Sequence, residues 1–200
     1  MSPQGFEKGA VGNHRHEDHD TTNQAWLDCT PSMIHILEDL LRPNLRLVIC
    51  GTAAGTRSAR IGAYYAGPGN KFWRTIHVIG LTPHLVAPED WRLLDAFGIG
   101  FTDMAKHHFG MDKDLPADCF DAGRLRAAME EIQPGALAFN GKAAAQAFFD
   151  RKSIDYGQHE ESIGKTAIWV LPSTSGAASG AWRIGPWQEL ADAVRATVAS

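Results

Sequence analysis

Three short glycine-bearing segments hold most of the residues of this 200-residue chain that are able to do chemistry: GTAAG at 51–55, FNGK at 139–142 and PSTSG at 172–176. Backbone N–H groups in such loops can close around an anion, and their hydroxyl and amide side chains can hydrogen-bond a polar ring. The spelling limits the options. Gly51 and Gly55 form GxxxG rather than the dinucleotide GxGxxG, and no GxxxxGK[ST] occurs, so neither nucleotide fingerprint is met. Ser175 precedes a glycine, but the GxSxG elbow of serine hydrolases is missing. Cys29, Cys50 and Cys119 form no CxxC pair for zinc and are too few for a four-cysteine iron–sulfur cluster. Paired catalytic carboxylates find little support, because no acid lies between Asp39 and Glu89 or between Glu161 and Glu189, the windows that contain two of the three loops.

Those windows do contain cations: Arg42, Arg46, Arg57, Arg60, Lys71 and Arg74 in the first, Lys165 and Arg183 in the second. The formal net charge of −4 sits mostly in residues 1–40, so the rest of the chain is close to neutral. A surface free of carboxylates suits a phosphate-bearing partner, since like charge would repel it. Uneven charge by chance is the plain alternative. With 44% hydrophobic and 21% charged residues the composition is that of a single globular domain. No stretch approaches the roughly 18 apolar residues of a membrane span, and the start MSPQGFEKGA lacks a signal-peptide core, so a cytoplasmic protein is expected, with no membrane partner.

Positioning the three loops requires a scaffold with strand ends side by side. Residues 1–24 are polar and glycine-rich, with His14, His16 and His19, and read as a disordered head in which adventitious metal binding is the minor alternative. Residues 25–200 read as one domain. Thr30 and Pro31 look like a helix start, and Met33, Ile34, Ile36, Leu37, Leu40 and Leu41 continue at helical spacing to Pro43. Strands are predicted at 45–50, 98–101, 136–140 and 166–172, with helices at 71–80, 88–96, 122–132, after Gly141 and from Pro186; the last buries Trp187, Leu190, Ala191, Val194 and Val198. The 51–70 stretch reads as a long polar loop. This alternation predicts a three-layer α/β/α sandwich around a mostly parallel four-stranded sheet. Ligands of such sheets bind beyond the carboxyl ends of the strands, where the three loops emerge.

The stretch VICGTAAGTRSARIGAYYAGPGNKFW, followed in order by GIGFTDMAK, AFNGKAAA and LPSTSG, resembles the uracil-DNA glycosylase superfamily, in particular its thymine and mismatch-specific uracil branch. The resemblance runs from about residue 45 to the C-terminus, with GPGNKFW and GIGFT as its most specific pieces. It implies excision of uracil, or another deaminated base, from a nucleotide flipped out of DNA, by a monofunctional and monomeric enzyme that needs no metal or organic cofactor. It places Tyr65 as the stacking floor for the base, with Gly51, Thr52, Ala53, Gly55 and Tyr64 around it. Arg57, Ser58, Arg60 and Lys71 are expected to face DNA. So are Thr174, Ser175, Gly176, Ala177 and Arg183, in and just after the loop that would grip the phosphates.

Four positions depart from the family pattern: Ala53, Gly55, Ala177 and Ala178. Ala53 stands where an asparagine or aspartate would hold the attacking water, and a methyl group cannot orient water. Either the protein binds without cutting, or leaving-group stabilisation suffices, or a neighbour substitutes: Asn70 first, with Ser173, Tyr64 and Thr52 behind it. Asn70 has equal standing as a helix cap. Gly55 replaces a tyrosine that excludes the thymine methyl in the uracil-specific branch, which opens the pocket to hypoxanthine or other bases. Ala177 and Ala178 are too small to plug the stack a flipped base vacates, so Trp182 or Arg183 is considered for that task, with packing under the loop as the other reading of Trp182. Lys142 as a Schiff-base amine, Asp103 as a water-holder and His107 or His108 as phosphate contacts each compete with ordinary roles as a solvated lysine, a turn cap and loop residues.

Overall fold

The computed structural model describes residues 35–198. The five strands are β1 (Leu47–Ala54), β2 (Ile99–Phe109), β3 (Ala136–Asn140), β4 (Gly157–Ile163) and β5 (Thr166–Leu171), lying in the order β2-β1-β3-β5-β4. All pairings are parallel except β4 with β5. The helices are α1 (Thr56–Ile61), α2 (Phe72–Val78), α3 (Ala122–Ile132), α4 (Lys142–Phe149) and α5 (Gly185–Val198).

Side-chain alternation on the central strands explains the layers. On β1, β3 and β5 the residues Leu47, Ile49, Ala138, Trp169 and Leu171 join one core with Phe72, Trp73 and Ile76 of α2, Trp91 and Leu94, and Trp187, Leu190 and Val194 of α5. Their neighbours Val48, Cys50, Leu137, Phe139, Ile168 and Val170 face the opposite way, onto Leu125 and Met129 of α3 and Ala144, Ala145 and Phe148 of α4. The α/β/α sandwich expected from sequence is therefore present, with five strands rather than four. The added strand, β4, reads GQHEESI and alternates between half-buried and exposed positions at the sheet edge, so it lacks the apolar run that marks the buried strands.

Other expectations need correction. Residues 35–42 are not helical; they run beside β2, where Leu40 N–H donates to Phe101 O at 2.9 Å and Phe101 N–H donates back to Leu40 O at 3.1 Å. Hydrogen bonds to an otherwise open sheet edge outweigh the helical spacing of Ile36, Leu37, Leu40 and Leu41. The 88–96 helix is a 3-10 segment, Pro88–Phe97. The loop expected after β1 contains α1, closed at its end by Gly62 in the left-handed conformation (φ 69°). The second strand extends past residue 101 to Phe109, carrying the buried polar residues Thr102, Asp103 and Lys106. The acidic head at 1–24, the start of the helix placed at Thr30, and the side chain of Val198 lie outside the described residues. Among those residues no helix is long and apolar enough to cross a membrane.

Candidate active site

Beyond the carboxyl ends of β1, β3 and β5, the three glycine-bearing segments line one cleft of about 920 Å³. Its walls are completed by α1, the 64–70 turn, Asp103 of β2 and the 110–113 turn. Two hydrogen-bonded ties set the loops. Asn140, at the end of β3, donates from its amide to Thr174 Oγ1 at 2.9 Å and accepts from Thr174 N–H at 3.0 Å. Thr174 O in turn accepts from Lys71 N–H at 2.8 Å. One fully buried threonine thus joins the end of β3, the PSTSG loop and the start of α2.

The closed end is polar. Asp103 is opposite Gly51 in the β1–β2 register and only 3% exposed. A methyl group added at Gly51 would collide with Asp103 Oδ1 and come within 3.3 Å of the Tyr65 hydroxyl, so the strand must be bare there. Burial pushes the Asp103 carboxyl up to about 7, helped by Asp39 and Asp112 and opposed by Lys106 and Arg124. Those two cations share Asp39: Lys106 Nζ donates to Asp39 Oδ1 at 2.6 Å and Arg124 Nη1 to Asp39 Oδ2 at 3.0 Å. Arg124 also donates to the Asp103 carbonyl at 2.6 Å, which fixes the backbone beneath the carboxyl. The Tyr65 hydroxyl is buried and makes no hydrogen bond of normal geometry; the Asn140 side chain lies beside it. Burial, then Asp103, holds that phenol well above its ordinary value, so it is a neutral donor. Tyr65 packs on Phe72 with ring centroids 4.2 Å apart and keeps a left-handed backbone (φ 53°), a strained state for a residue with a side chain.

Most residues singled out from sequence meet in this cleft, in differing states. Gly51, Thr52, Ala53, Gly55, Tyr65, Asn70, Ser173, Ser175, Gly176 and Ala177 line it, and Arg57 and Arg60 of α1 stand exposed on its wall. Asn70 is half-buried and precedes Lys71, the N-cap of α2; its Oδ1 accepts from Phe72 N–H at 3.0 Å, which steadies the helix start and leaves the amide NH₂. Ser58 is buried and accepts from Ala66 N–H at 3.0 Å, bracing the turn that carries Tyr65. Tyr64 is a core residue, stacked on Phe101 and donating to Glu38 O at 3.0 Å. Thr174 is spent on the tie to Asn140. Neither Lys71 nor Arg183 lines the cleft: Lys71 Nζ donates to Ser179 Oγ at 2.7 Å, and the Arg183 guanidinium lies over Tyr156 at 5.6 Å. Lys142 Nζ, also over Tyr156 at 4.6 Å, does line it. Trp182 is half-buried and packs against the core.

Sequence reasoning missed Asn140 and Asp112. Asn140 is the last residue of the strand predicted at 136–140 and lies within FNGK, so its place was legible although no role was assigned to its side chain. Asp112 lies in GMDKDL, which has no local pattern; Gly110 N–H donates to Ala54 O at 2.9 Å and folds that turn back to β1, where Thr52 Oγ1 donates to Asp112 Oδ2 at 3.4 Å.

Two comparisons bear on this arrangement. The solution NMR structure of a provisionally assigned uracil DNA glycosylase from Methanosarcina acetivorans is similar in fold, with a TM-score of 0.52 at 22% identity over 82% of this chain and 97% of that one. A family model matches residues 38–191, a span that takes in all five strands and every loop around the cleft. On the strength of that match, which covers more than half of its length, the chain belongs to the uracil DNA glycosylase superfamily.

Proposed function

We propose that this protein is a DNA glycosylase that hydrolyses the N-glycosidic bond of uracil in DNA, as a monofunctional enzyme of base excision repair. The observation that carries the reading is the polar, buried end of the cleft, where Gly51 leaves room for Asp103 and Tyr65. A base everted from the stack enters first with the edge farthest from its sugar, so that edge meets the deep wall while the glycosidic bond stays near the mouth. Below about pH 7 the Asp103 carboxyl is protonated and offers one donor and one acceptor. That pair complements the adjacent N–H and C=O of a lactam, the edge that deamination creates. Tyr65 supplies an aromatic wall, and backbone N–H groups of 51–55 favour the negative charge that develops on the departing base. Exposed Arg57 and Arg60 on the cleft wall suit the flanking phosphates. Asn70 contributes its free NH₂ near the mouth.

A second reading has its own support. A Cβ built at Gly55 meets nothing within 4 Å, so the entrance is wide enough to favour hypoxanthine, which presents the same lactam edge on a larger ring.

The test is incubation with oligonucleotides carrying uracil or hypoxanthine, followed by hot alkali. Strand cleavage that requires the protein establishes the glycosylase, and the ratio of the two substrates ranks the readings. Tight binding without cleavage of either would make the protein a damage-recognition module.

A further inference from the structure

Resting on the glycosylase reading, we propose that Asp112 is the catalytic residue that holds and deprotonates the attacking water, taking the place of the side chain that Ala53 lacks. The carboxylate arrives from the turn after β2 rather than from the end of β1, where Ala53 lies. Its Oδ2 accepts from the hydroxyl of Thr52, the residue immediately before Ala53, and Thr52, Ala53 and Asp112 line the same cleft. The turn is anchored by the Gly110 N–H bond to Ala54 O, so the Thr52–Asp112 contact joins two segments already held together. Thr52 uses one of the two carboxylate oxygens and leaves the other as an acceptor at the solvent-facing edge of the cleft, where water is available.

Other polar groups are less suited to this step. Asn70 Oδ1 already accepts from the Phe72 N–H, and although an amide can orient a water it cannot take a proton from it. Asp103 is 3% exposed at the closed end, on the side of the base away from the sugar. Ser173 Oγ accepts from Ser175 N–H at 3.3 Å and is no base at neutral pH. In the step itself, the water oxygen bonds to C1′ of the deoxyribose as the C1′–N bond breaks. The electron pair of that bond leaves on the base, and one water proton passes to the Asp112 carboxylate and then to solvent, giving free base and an abasic sugar.

Partial burial raises the Asp112 carboxyl, while the Thr52 hydroxyl lowers it. The charged and titratable groups sharing the cleft are Asp103 of β2, Arg57 and Arg60 of α1, Tyr64 and Tyr65, Lys142 of α4 and, next to Asp112 in the turn, Lys113. The excision rate should therefore rise with pH as Asp112 ionises.

Single-turnover excision of uracil by the full chain tests this. Asp112→Ala is expected to slow the step by about 10²–10⁴-fold, the range for loss of a general base, with unchanged affinity for a duplex carrying uncleavable 2′-fluorodeoxyuridine. Asp112→Asn, which still binds water but accepts no proton, should retain part of the rate and lose its acidic limb. Thr52→Val, which frees the carboxylate from its tether, should cost about tenfold. An active wild type whose rate survives Asp112→Ala within twofold, or an acidic limb that persists in Asp112→Asn, overturns the proposal. A wild type that binds the fluorinated duplex but releases no base from any substrate instead removes the glycosylase reading on which it rests.

Discussion

Asp103 is the residue in which structure and chemistry are most tightly coupled. Its folded value of about 7 lies above the ordinary 3.8, so the folded state holds a proton that the unfolded chain has already released. Below pH 3.8 both states are protonated and nothing is lost; between there and about 7 stability falls as pH rises; above that the loss is complete. At 1.36 kcal/mol per unit the full penalty is about 4 kcal/mol. Asp103→Asn, a neutral isostere, should be more stable than wild type at pH 8 and gain little at pH 4, as read by urea denaturation. It should also keep lactam excision while losing the decline above pH 7. A variant no more stable than wild type at pH 8 would show that the Lys106–Arg124 pair already compensates the charge. Gly51→Ala gives the steric counterpart: a methyl driven against Asp103 and Tyr65 should cost about 1–3 kcal/mol and depress excision at least as strongly as it depresses stability.

Among the elements, the tie between Asn140 and Thr174 sets the spacing of two loops that are 34 residues apart in sequence. Asn140→Ala leaves the Thr174 N–H and hydroxyl buried without partners, which should cost about 1–3 kcal/mol. Amide exchange at Thr174 should accelerate in that variant while exchange in β1 is unchanged; equal acceleration in both would mean that the tie supports the whole sheet. The elements legible in the sequence were those whose burial repeats along the chain, such as Leu47–Cys50 with both faces covered, or Trp187, Leu190 and Val194 on one stripe of α5. The segment at 35–42 misled because its apolar spacing suits a helix, while its backbone partners, Phe101 and Lys106, are more than 60 residues away. Strand β4 was hidden by its edge position. At the site, the glycine-bearing loops were legible because each follows a strand. Asp112 was not, since only the fold of the 110–113 turn brings it to Thr52.

On the scale of the whole molecule, the acid-free stretch from residue 40 to 88 delivers α1 and its exposed Arg57 and Arg60 to the cleft wall. The cation of Arg46 does not serve this purpose: its guanidinium is turned inward to the carbonyls of Phe97 and Leu81. Charge counting along the sequence does not separate cations that brace the fold from those exposed on the cleft wall. Removing Arg57 or Arg60 should weaken DNA binding uniformly across sequences and reduce the slope of log affinity against log salt by about one each. An unchanged slope in both variants would move the DNA path off this wall.

The central claim is that an everted base occupies the cleft with its lactam edge at Asp103 and its ring beside Tyr65. A crystal structure with duplex DNA carrying 2′-fluorodeoxyuridine tests it most directly. The account predicts the uracil ring against Tyr65, its N3–H and a neighbouring carbonyl within hydrogen-bond distance of the Asp103 carboxyl. A complex in which the uracil stays stacked in the helix, or enters with its sugar edge toward Asp103, would contradict it.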